Sequence, residues 1–162
     1  MVSGPNGTRA MKVWVDADAC PNVIKEILYR LADRAKVMVT LVANQRLTHP
    51  ESHYIRSIQV MQGFDVADDE IVKRAQPDDI VITSDIPLAD ECIAKGCFVL
   101  SPRGEQFSKD TIKAKLTMRD FLDTLRGSGE QSGGAPPLTQ SDRREFANQI
   151  DRLVVKLQKT DN

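Results

Sequence analysis

Apolar and polar positions change their spacing repeatedly along this chain, and the changes mark out alternating strands and helices. Val13, Trp14 and Val15 form an apolar-rich run that predicts a first strand over residues 12–15. Val23, Ile27, Leu28 and Leu31 then recur at helical spacing, which predicts a helix over 21–35 opened by Pro21. Proline suits a first helical turn because its missing N–H is not needed there. The β-branched run VMVTLVA predicts a second strand over 37–43. A short third strand is expected within 55–61, then a turn and a second helix over 69–75. The unbroken apolar run at 80–83 suits a central strand covered on both faces. Pro87 opens a third helix that ends at Gly96, and 97–100 forms a fifth strand. Beyond a turn at 101–104, helices are expected at 108–115 and 117–126, the second opened by a weak Thr117/Asp120 capping box. The last helix, 141–158, carries Phe146, Ile150, Leu153, Val154 and Leu157 on one stripe. That stripe either packs back on the domain or serves as a dimer contact. Strands alternating with helices in this way predict an α/β fold around a parallel sheet.

The 162 residues suffice for one domain with a core of its own. Residues 1–10 read as a disordered extension or an expression remnant and 11–127 as the α/β domain. Residues 128–138 read as a Gly/Pro-rich linker, and 139–162 as a C-terminal amphipathic helix. The formal net charge of −1 supplies no global field toward nucleic acid or anionic membrane. Nucleic acid would have to be met by a local patch or through a metal. No apolar run approaches the roughly 20 residues of a membrane span, and no signal-peptide pattern opens the chain. Cys20, Cys92 and Cys97 are odd in number and lack zinc spacing. They predict buried free thiols in a reducing cytoplasm.

The chemistry concentrates in carboxylates. Asp16 and Asp18 follow the first strand, at the end where open α/β sheets keep their sites. If the strand's period of two continues, both point to one side. Facing carboxylates raise each other's pKa unless a cation lies between them. A divalent-metal site is one reading; Asp18 as a helix cap beside a solvated Asp16 is the other. Asp85 ends the fourth strand, and Asp65, Asp68, Asp69 and Glu70 gather at the start of the second helix. If strands one and four are neighbours, Asp16 and Asp85 flank the topological switch point. Hard oxygen donors suit magnesium or manganese, which activate water against a phosphodiester. Taken singly, Asp68, Asp69 and Asp90 could merely offset helix dipoles. Asn44, ending the second strand, could orient substrate or only begin a loop. Arg103 could fork onto a phosphate or only sit in its turn. Arg46 reads as solvated, His49 and His53 as surface residues, and Cys20 as packing.

DADACP, VAN at 42–44, GFDVADDEIV, TSDIPLA, SPRGE and TMRDFLDTLRGSG together resemble the YaiI/YqxD family of small bacterial proteins. The resemblance runs from Met11 to the end of the chain. That family is similar to PIN-like domains, many of them metal-dependent ribonucleases. The resemblance implies a three-layer sandwich whose central parallel sheet has the order 3-2-1-4-5. It implies Asp16, Asp68 and Asp85 as catalytic acids, and Asp16, Asp18, Asp68 and Asp85 as holders of magnesium or manganese. The chain departs from the PIN pattern after Asp85, where Ile86, Pro87, Leu88 and Ala89 precede Asp90; Asp18 could replace the fourth acid. The expected function is metal-dependent hydrolysis of RNA phosphodiesters, inherited by analogy, since fold does not fix function. The alternatives are a non-catalytic RNA- or protein-binding module and a phosphatase with the first Asp of DxD as nucleophile.

Overall fold

The computed structural model describes residues 10–63, 65–127 and 137–160. The extension expected at 1–10 and the linker expected at 128–138 fall almost wholly outside the described residues. The elements run β1 (Val13–Asp16), α1 (Asn22–Ala35), β2 (Val39–Ala43), β3 (Ile55–Gln59), α2 (Val66–Arg74), β4 (Ile80–Ile82), α3 (Ile86–Ala94), β5 (Phe98–Leu100), β6 (Gln106–Phe107), α4 (Lys109–Gly127) and α5 (Gln140–Thr160).

The strands form one sheet in the order β3-β2-β1-β4-β5-β6. The first five are parallel, and β6 runs antiparallel to β5. The fold is therefore α/β with the expected order, extended by one edge strand. β6 has only two residues, too few to show a period of two in the sequence.

Alternation along each strand divides the core in two. Val13, Val15, Leu41, Ile80, Ile82 and Leu100 face α1 and α5, where they meet Ile24, Leu28, Phe146 and Ile150. Trp14, Val42, Val81 and Val99 face the other helices, where they meet Ile71, Leu88, Cys92 and Ile112. Central strands buried on both sides account for the uninterrupted apolar runs. The stripe of α5 is thus used in the domain's own core. Gly104 shows how closely the turn before β6 meets that helix: it takes φ +89, and an added Cβ would lie 2.8 Å from the Phe146 nitrogen. Among the described residues, no helix is long and apolar enough to cross a membrane.

Two expectations about helices are corrected. α2 begins at Val66 rather than at 69, because Asp65 takes a left-handed conformation (φ 63) that completes the turn early. α4 is one helix rather than two. No Pro or Gly interrupts it, and the Thr117 hydroxyl donates back to the Lys113 carbonyl at 3.1 Å instead of capping a new start.

Candidate active site

β1 lies at the middle of the sheet between β2 and β4, and its connection leads to α1 on one face while β4 leads to α3 on the other. This reversal opens a crevice at the C-terminal edge. Asp16, the last residue of β1, shares its strand face with Trp14 and so points toward α2 and α3. Thr83 follows β4 and is buried. Its hydroxyl donates to Asp16 Oδ2 at 2.9 Å and accepts from the Asp85 backbone N–H at 3.0 Å. Asp85 in turn caps α3, its Oδ1 accepting from the Leu88 N–H at 3.0 Å. Asp68 sits in the first turn of α2.

These three carboxylates, from three separate segments, act on one another. Burial raises the pKa of Asp68 to about 7, helped by the negative charges of Asp85 and Asp16 and less by Asp65 and Asp69. Burial also raises Asp16, assisted by the charges of Asp85 and Asp18 and opposed by the Thr83 hydrogen bond. The crevice therefore holds negative charge that only a proton or a cation relieves. Among the described residues, no group of three or more His, Cys, Asp or Glu side chains is placed to hold a metal ion. The donor chemistry suits an ion held by one or two carboxylates with its waters retained, as magnesium commonly is, and not a closed protein cage.

Asp18 is placed differently. β1 ends at Asp16, so the period of two does not reach Asp18, which lies in the following turn. Its carboxylate accepts from the Asn44 N–H at 2.7 Å and from Gln45 Nε2 at 3.4 Å. Nor does it cap α1, whose N-cap is Pro21 with no side-chain cap bond. Asn44 Nδ2 donates to the Met61 carbonyl at 3.2 Å. Asp18 and Asn44 thereby brace the loops beside the crevice.

Arg103 pairs with Asp142 of α5 at 2.6 Å. It lines a cavity of about 360 Å³ with Pro21, Ser84, Ile86, Phe107 and Lys115, beside the turn that carries Asp85. Asp90 points away from the crevice into a groove between α3 and α4, with Lys109 and Lys113. Arg46 is exposed on its loop. His49 Nδ1 lies 2.9 Å from the Pro50 carbonyl, and His53 stacks edge-on against Tyr54. Burial pushes the Cys20 thiol up to about 12, which makes it inert packing. Thr83 is the site residue that sequence reasoning passed over; its one signal was a hydroxyl two positions before Asp85.

The topology and the carboxylate crevice together define a doubly wound α/β protein with an acidic site at its switch point. The chain belongs to the YaiI/YqxD family: the model described as "Uncharacterized BCR, YaiI/YqxD family" matches residues 14–156, a span that includes every carboxylate discussed above. Relatives named "UPF0178 protein" are similar over most of their length. One from Photobacterium profundum is 62% identical over 146 residues, 90% of this chain and 97% of its own. One from Thioalkalivibrio sulfidiphilus is 64% identical over 146 residues, 90% of this chain and 99% of its own. One from Shewanella amazonensis is 60% identical over 149 residues, 92% of this chain and 100% of its own.

Proposed function

We propose that the protein is a magnesium- or manganese-dependent phosphodiesterase acting on RNA in a reducing cytoplasm. The observation that carries this reading is the convergence of Asp16, Asp68 and Asp85, from three separate segments, at the switch point, where burial and one another's charge raise Asp68 and Asp16. Carboxylates displaced this far toward neutrality gather at functional sites. Asp16 and Asp85 would hold the ion, which when bound polarises a phosphate oxygen and lowers the pKa of water. Thr83 fixes Asp16 by its hydrogen bond and holds the Asp85 N–H in the turn that opens α3. Asp68, raised by burial and by the charges of Asp85 and Asp16, lies beside the proposed ion position, where it could accept a proton from an attacking water. The likeness to PIN-like nucleases supports RNA as the substrate, and three buried free cysteines support the reducing compartment.

Titration calorimetry with manganese, followed by cleavage of single-stranded RNA, tests the reading on wild type and on Asp16→Asn/Asp85→Asn. Asn replaces Asp well as a helix cap, so α3 keeps its start. Saturable binding and cleavage in wild type, with cleavage down about a hundredfold or more in the double variant, is the expected result. Full metal-dependent activity in the double variant sinks the assignment. Because no three-carboxylate group stands ready among the described residues, a binding module without turnover is the second reading; its sign is RNA binding that no divalent ion converts to cleavage.

A further inference from the structure

A second charged feature lies on the opposite face of the sheet from Asp68. The first two turns of α1 and of α5 run side by side and enclose a groove of about 360 Å³. Arg30, Arg143 and Arg144 converge on it, with Val23 and Ile27 along its floor and Glu26 as the acid on its rim. All three arginines are exposed. None of them forms an ion pair within 4.0 Å among the described residues, whereas Arg34, Arg74 and Arg103 are each held by a carboxylate. Three guanidinium groups against one glutamate make a local positive patch on a chain whose net charge is −1.

The groove opens at the same sheet edge as the carboxylates. α1 leaves the turn that carries Asp18, and the first turn of α5 is tied to Arg103 of the β5–β6 turn through Asp142. Planar forks without carboxylate partners match phosphate oxygens, and an apolar floor suits the sugar and base edges between phosphates. We propose that this groove is the docking track for the phosphate backbone of single-stranded RNA, delivering the strand to the carboxylate edge. The choice of RNA rests on the function proposed above; the phosphate chemistry rests on the arginines alone. Backbone contacts of this kind position a strand and do not read its sequence.

The test is fluorescence anisotropy of a labelled single-stranded RNA of about twelve nucleotides, with the full chain in EDTA, between about 50 and 200 mM salt. Each phosphate contact contributes about 0.7 to the slope of log affinity against log salt for a single strand. Arg143→Glu/Arg144→Glu is expected to bind about tenfold or more weakly, with the slope reduced by about 1.4. Arg143→Lys/Arg144→Lys, which keeps the charge, should retain most of the slope and so separates charge from folding. Wild-type affinity and slope in the glutamate variant overturn the proposal, as does a wild-type chain that binds no RNA at the lowest salt. The anisotropy is read in EDTA, where no metal-dependent step contributes. Binding without metal-dependent cleavage therefore sinks only the catalytic reading and leaves the groove standing.

Discussion

The two ends of the central strands treat a buried carboxylate in opposite ways. At the N-terminal end, Asp79 immediately precedes β4 and is fully buried. It accepts from the Lys12 N–H at 3.0 Å, the Trp14 indole N–H at 3.0 Å and the Gln76 N–H at 2.9 Å. At the C-terminal end, Asp16 has one hydroxyl donor and other carboxylates for company. Donors surround a charge that serves structure; repulsion surrounds the charges at the crevice. A fold can hide a carboxylate cheaply when backbone and indole N–H groups converge on it. The other edge lacks such convergence, and that contrast is what the proposed metal site rests on.

The sharpest way to break this contrast is Asp79→Ala. It leaves three N–H groups without their acceptor at a buried position, and a loss of about 3–5 kcal/mol is expected in urea unfolding. Thr83→Val is nearly isosteric and attacks the other edge. It removes the Asp16 hydrogen bond and orphans the Asp85 N–H, for a loss of about 1–2 kcal/mol. Without that donor the pKa of Asp16 should climb further, which a carboxyl-carbon NMR titration reads directly; an unmoved Asp16 would show that Thr83 does not govern it. The smallest effect has the opposite sign. Asp68 is raised from 3.8 to about 7 on folding, so the folded chain binds more protons than the unfolded one across that window, and stability falls as pH rises through it. Asp68→Asn removes this loss. At pH 8 it should be more stable than wild type by about 1 kcal/mol, discounted for solvent screening at a partly exposed position. Below about pH 4 the advantage should vanish, and thermal unfolding at the two pH values decides the matter.

What could be read from residues alone follows the range of the interactions involved. The apolar runs of β1, β2 and β4 announce themselves because burial on both faces writes directly into local composition. Asp16 is visible as the end of an apolar strand and Asp85 as the residue before a helix opened by Pro87, and both are local features. The role of Asp79 is not local. Its donors Lys12 and Trp14 lie 67 and 65 positions away, and nothing in the Pro77-Asp78-Asp79 turn reveals them. Thr83 meets Asp16 across the same 67 positions. Asp18 lies past the residue where β1 stops pairing, so the condition under which it would share a side with Asp16 is not met within the strand. The arginine groove joins Arg30 to residues more than a hundred positions later, so only the packing of α5 on α1 assembles it.

That packing also has a consequence for how the protein is made. Phe146, Ile150, Leu153, Val154 and Leu157 complete the core over the α1 face of the sheet. During synthesis every strand and the first four helices emerge before these side chains do. Until then Val13, Val15, Ile80 and Ile82 have only part of their cover. An emerging chain would expose that apolar face for as long as the ribosome takes to reach α5, at about 5–20 residues per second. A nascent chain stalled before Gln140 should therefore recruit a holding chaperone, and release should follow translation of the final helix.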